Sequence, residues 1–153
     1  MKTFVAAACL AALGTAAPAQ SPRPVLTYES AAKMRDGCLA FARKNKLSVA
    51  IAVHDEAGRL LTFARMDDAS TAVSDTALWK SRSAATYTYA SADTARWNVP
   101  TAPGIATAGG GVPVFTAEGR PLGAIGVSGS PTESDIACAE AGVRAAGLRA
   151  TRP

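Results

Sequence analysis

Residues 107–135 read TAGGGVPVFTAEGRPLGAIGVSGSPTESD. Three glycines, Gly109, Gly110 and Gly111, open the stretch, and the apolar run Val112-Pro113-Val114-Phe115 follows. Glu118-Gly119-Arg120 reads as a turn, and Leu122 to Ser128 as a second strand. Along that strand Ile125 and Val127 point one way and suit a core. Ala124, Gly126 and Ser128 point the other way and leave almost no side chain. After Gly129 the spacing predicts a helix with Ser130 as N-cap, Pro131 at the first helical position and Glu133 closing a capping box. A bare strand face invites close approach by another backbone or by a ligand. With free N–H groups at Gly129 and the helix start beside it, we expect the face to be a ligand floor. The competing reading is that the glycines serve tight turns and helix-on-sheet packing.

Upstream, Thr27 caps a predicted helix from Tyr28 to Lys46 with a stripe of Tyr28, Ala31, Ala32, Cys38, Leu39 and Ala42. Ser48–His54 and Arg59–Arg65 read as a hairpin about Asp55-Glu56-Ala57-Gly58. Val49, Ile51 and Val53 share one face of its first strand; Ala50, Ala52 and His54 share the other. A helix from Val73 to Tyr89 carries Lys80 on its apolar stripe. That lysine either snorkels to the edge or holds a cation at a pocket wall. Ser91 to Ala106 is a proline-containing loop with Trp97, which pins the loop or lines a cavity. The last helix spans Pro131 to Leu148, and Arg149 to Pro153 is expected to fray. The order of elements is not the regular alternation of a doubly wound parallel sheet. It predicts an α+β fold: a single two-layer domain with helices packed on an antiparallel sheet.

The 153 residues carry a net charge of +4 without a Lys/Arg stripe, so nucleic-acid binding has little support. Met1 to Ala19 reads as a secretory leader: Lys2, an apolar run from Phe4 to Leu13, and Ala17-Pro18-Ala19 as the cleavage site. The run is too short to span a bilayer. Residues 20–26 would be a flexible lead-in, 27–148 the domain and 149–153 the tail, in a periplasmic or secreted protein. Beyond the leader stand Cys38 and Cys138. In an oxidising compartment they either form a bridge, worth about 4 kcal/mol by loop entropy, or remain two buried thiols.

The chain lacks a G-x-S-x-G elbow, a Walker loop, a dinucleotide fingerprint and zinc or C-x-x-C-H spacing. His54 is the single histidine. With Met34, Met66, Tyr28, Tyr87 and Tyr89 it completes the groups able to ligate a haem iron. Asp55, Glu56, Asp67 and Asp68 could hold a hard cation only weakly.

Thr27–Ala31, Ala52–Asp55 with Gly58, Phe63–Asp67, Lys80–Ala85, Gly110–Pro113, Gly123–Gly129 and Asp135 together resemble the GlcG/HbpS-like (haem-degrading domain) family. The resemblance implies a profilin- or PAS-like antiparallel sheet and a homo-oligomer, often an octamer. It also implies a link to haem binding, iron-linked redox sensing or haem uptake, or to glycolate, diol or aromatic catabolism. Lys80 and Arg65 would then meet the carboxylates of haem or a similar acidic ligand. Gly109–Gly111, Gly126, Ser128 and Gly129 would form the floor, with His54 nearby. The rival expectations are an enzyme on a small oxo- or hydroxy-acid, with Lys80 or His54 as base, and an accessory or sensory oligomer.

Overall fold

The computed structural model describes residues 21–153. The expected leader, Met1–Ala19, lies outside them. The elements are α1 (Tyr28–Lys44), β1 (Ala50–Asp55), β2 (Leu60–Arg65), α2 (Thr71–Tyr87), the short α3 (Ser91–Thr94), β3 (Gly111–Phe115), β4 (Pro121–Ser128) and α4 (Thr132–Ala145). The strands form one antiparallel sheet in the order β2-β1-β4-β3. No helix among the described residues is long and apolar enough to cross a membrane.

The α+β class is the expected one, but the helices occupy both faces of the sheet, which makes it the middle of three layers instead of one of two. Val49, Ile51, Val53, Val112, Val114, Ile125 and Val127 bury one face against Ala31, Met34, Cys38 and Ala42 of α1 and Cys138, Ala139 and Val143 of α4. A disulfide joins Cys38 to Cys138 inside this layer. Tyr28, expected on the buried stripe of α1, is 64% exposed, and Met34 takes the interior position.

The opposite face holds α2. Ser70 caps it, accepting from Val73 N at 3.3 Å, so the helix starts ahead of the expected Val73. Its buried side is Ser74, Ala77, Lys80, Ser81, Ser83, Ala84 and Ala85. Against it stand the small residues of β1 and β4. A Cβ on Gly126 would sit 2.4 Å from both Ala77 O and Ser81 N, so α2 rests backbone to backbone on β4.

Two local expectations fail for identifiable reasons. The capping box of α4 does not form: Pro131 is the N-cap and makes no side-chain cap bond. Asp135 does the work instead, its Oδ1 accepting from Ser130 N at 3.1 Å and Ser130 Oγ at 2.7 Å. The tail is held, because Arg149 and Phe115 exchange backbone hydrogen bonds of 2.9 and 3.2 Å on the edge of β3. Arg152 stacks over the Phe115 ring and donates to Thr88 Oγ1 at 3.0 Å. At the other end the lead-in is anchored by buried Leu26 and by Arg23, which donates to Glu56 at 2.8 Å.

Candidate functional site: a cavity at His54 beside helix α2

The glycine face expected to be a ligand floor is occupied by the protein itself. Gly126 lies under α2. A Cβ on Gly111 would meet Lys80 O at 2.4 Å, and one on Gly110, whose φ is +119°, would meet Val127 O at 2.5 Å. A Cβ on Gly109 would meet Thr132 Cγ2 at 2.6 Å, and one on Gly129 would meet Ser48 O at 2.4 Å. Sequence alone could not separate a strand bared for a ligand from one bared for a helix. Here the helix won, because its own small residues match those of the strand.

Lys80 neither snorkels nor lines a cavity. Its Nζ donates to Val127 O at 3.1 Å, Asp135 Oδ2 at 3.1 Å and Ser128 Oγ at 3.4 Å. These bonds use all three ammonium protons. The Lys80 and Asp135 side chains are 5% and 2% exposed. Lys80 is thus a buried strut from α2 across the end of β4 to the start of α4, and Ser128 belongs to it. Arg65 stands exposed at the end of β2, paired in register with Ala50, and makes no ion pair with Lys80's cluster. Met34 is sealed in the α1/α4 layer, so it is removed from the candidate iron ligands.

His54 is the expected site residue that does face open space. It ends the small-residue face of β1, where α2 and the hairpin diverge. A cavity of about 650 Å³ opens there, lined by His54, Leu78, Trp79, Arg82, Thr86, Pro103 and Gly104. That size suits a small molecule. The Ser91–Ala106 loop supplies its outer wall and is held there by its own bonds. Tyr87 Oη donates to Pro103 O at 2.8 Å, and Ala106 N donates to Ser83 Oγ at 2.8 Å. Trp97 pins this loop, edge-on to Tyr87 and Tyr89 with centroids 6.3 and 5.1 Å away, and is not part of the cavity wall.

His54 is 5% exposed. Its Nδ1 lies 2.9 Å from Ser81 Oγ, and Ser81 Oγ donates to Ala124 O at 3.2 Å. Nε2 has no hydrogen-bond partner among the described residues, yet it is not sealed off from solvent-sized space. Burial and then the charge of Arg82 push the His54 pKa below its ordinary value, against a weaker pull from Asp55. The ring is therefore neutral near pH 7, with one nitrogen held and the other open. Arg82 makes no ion pair among the described residues and lies over Gly58 of the hairpin turn. The cavity thus combines apolar walls, one free imidazole nitrogen and one free guanidinium.

A second hollow, of about 500 Å³, lies at the hairpin turn itself, against Leu26, Leu60, Leu61 and Leu122. Its polar groups are spent. Asp55 accepts from Ala57 N, Arg59 N and Arg59 Nε, and Glu56 is paired with Arg23. No group of three or more His, Cys, Asp or Glu residues arranged to hold a metal ion exists among the described residues.

Sequence reasoning missed Ser81, Arg82, Leu78, Trp79, Thr86 and the Pro103-Gly104 wall. A signal did exist. Ser81 and Arg82 directly follow Lys80, and His54 is the one large residue on an otherwise small strand face.

Comparison with known proteins agrees with this architecture. Residues 26–144 match the family described as haem degrading protein HbpS-like. Protein GlcG of Escherichia coli (strain K12) is 40% identical over 93 residues, which is 57% of this chain and 69% of that protein. A crystallised variant of Streptomyces reticuli HbpS superposes with a TM-score of 0.75 at 31% identity, covering 91% of this chain and 97% of the other. PduOC, crystallised as a haem complex, shares the fold with a TM-score of 0.76 at 20% identity, covering 85% of this chain and all of that one. With its sheet, its helices and nearly all of its described length accounted for, the chain belongs to the HbpS-like family.

Proposed function

We propose that this is an exported small-molecule-binding protein that takes haem, or a planar acidic ligand like it, in the cavity at His54, and that it works as a homo-oligomer. The observation that carries the reading is the pairing of an open, neutral imidazole nitrogen with an unpaired guanidinium in one largely apolar hollow. The donor set fits haem. His54 Nε2 would ligate the iron, Leu78 and Trp79 would pack against the porphyrin, and Arg82 would pair with a propionate. A bound haem supplies an iron centre for ligand or redox chemistry. The residues' own part is to hold, orient and shield it. Family membership and the haem-complexed structural neighbour support the choice of ligand.

The test is haemin titration of the mature protein followed in the Soret band. We expect a saturable shift, its loss or change of ligation type in His54→Ala, and weaker binding in Arg82→Gln. No shift for the wild type overturns the ligand, and a shift unchanged in His54→Ala overturns the site.

One feature favours a second reading. A neutral histidine beside a free arginine is also the arrangement of a general base facing a carboxylate. The substrate would then be a small oxo- or hydroxy-acid losing its α-proton to Nε2. Solvent deuterium exchange into such acids, present in the wild type and absent in His54→Gln, would establish it. Absence of exchange in the wild type would remove it.

A further inference from the structure

We infer that Ser81 is a positioning residue that locks His54 in the tautomer with the proton on Nδ1, so that the lone pair on Nε2 is presented to the cavity. The inference rests on the binding site proposed above and names what sets its chemistry.

Ser81 is fully buried on α2, so no solvent competes for its hydroxyl. A serine hydroxyl has one proton and two lone pairs. The hydroxyl lies 3.2 Å from Ala124 O in donor geometry, and we assign its proton to that contact. A carbonyl oxygen can only accept, so this bond fixes the direction of the chain. Ser81 Oγ must then accept at its 2.9 Å contact with His54 Nδ1, which requires a proton on Nδ1. A neutral ring with Nδ1–H has its free lone pair on Nε2, the ring nitrogen without a partner among the described residues, on a side chain that lines the hollow.

The backbone enforces the relay. Ser81 can reach Ala124 and His54 together because α2 lies directly on β4. A Cβ at Gly126 would be 2.7 Å from Ser81 Cβ and 2.4 Å from Ser81 N. His54 and Ala124 are themselves partners in the β1/β4 register. Three elements therefore converge on one hydroxyl. In water a free imidazole prefers the opposite tautomer, with the proton on Nε2, which would place a donor in the cavity and block ligation of a metal. Setting the tautomer through the second nitrogen is the usual way proteins aim a histidine at a metal. The ligand class follows: a partner that accepts an imidazole lone pair, such as a coordinatively open metal centre, in preference to one that offers a carbonyl oxygen to Nε2.

His54 is the single histidine of the chain, so its ring can be read by NMR without assignment ambiguity in protein lacking a histidine tag. The experiment is a long-range 1H–15N spectrum of ligand-free protein near pH 8. The expected result is a protonated Nδ1 and a bare, pyridine-like Nε2. A wild-type spectrum with the proton on Nε2 overturns the inference by itself. In Ser81→Ala, which removes only the hydroxyl, we expect the population to move to the Nε2–H form and haemin affinity to fall about tenfold. An unchanged tautomer in folded Ser81→Ala also overturns it. The NMR readout needs no haem. A correct tautomer with no Soret shift would therefore leave the lock standing and sink only the haem reading.

Discussion

On one face of the sheet, β1 and β4, with Val49 just ahead of β1, present Ile51, Val53, Ile125 and Val127 to α1 and α4. On the other, the same two strands present Ala50, Ala52, Ala124 and Gly126 to α2. The first face is a dry side-chain core with a disulfide at its centre. The second has little side-chain volume and is held by close backbone packing, serine hydroxyls and one ion pair. Branched side chains on the first face bury area and stabilise. The second face spends its geometry on bringing Ser81, Lys80 and His54 to fixed places. One sheet thus separates stability from positioning, and the cavity lies where the second face runs out.

That division can be broken most severely at Gly126. Gly126→Val should leave no folded protein, since there is no space between β4 and α2 for a branched side chain. Its neighbour on the other face, Ile125→Val, should cost only about 1 kcal/mol in urea denaturation. Near-equal costs would mean that the two faces do not differ as described. Next comes Lys80→Met, which leaves the Asp135 carboxylate buried without its cation and should cost about 3–5 kcal/mol in the same assay.

Replacing both Cys38 and Cys138 by alanine tests the dry face alone. The bridge spans a sequence separation of 100, and its removal should lower stability by about 2–5 kcal/mol. Binding at His54, on the other face, should survive wherever the variant is folded. The smallest effect is a pH slope. The folded His54 pKa lies below its ordinary 6.5, so on acidification the unfolded chain takes up this proton first. The stabilising contribution is whole above about pH 6.5 and is lost as pH falls through the folded value. His54→Asn should lack that part of the slope as pH falls below about 6.5, read from urea midpoints.

The sheet and its order of elements could be read from alternation in Val49–His54 and Leu122–Ser128, and the helix start at Thr27 from its cap chemistry. The leader's boundary is a matter outside the described residues. What the pattern could not show was how many helices the sheet carries and where. Small residues on a strand face look the same whether a ligand or a helix lies there. Lys80 misled for the same reason: a cation on an apolar stripe gives no hint of a carboxylate 55 residues downstream. The capping box at Ser130 misled because Asp135, two residues beyond Glu133, takes the Ser130 N–H that the box would use. His54 was visible as a lone large residue, but its partner Ser81 was hidden among the serines of α2.

The pinned carboxyl-terminal tail bears on how chains of this kind can associate. Along the outer rim of β3, the amide of Gly111 is taken by Ser91 Oγ, Pro113 has no amide hydrogen, and the amide of Phe115 is taken by Arg149. That rim therefore offers no donor to an incoming strand. The rim of β2 has no such cover among the described residues. Any growth of the sheet across molecules must start there, and two chains joined rim to rim would each turn a sealed border outward. Strand addition would halt at a pair and could not run on into a fibre.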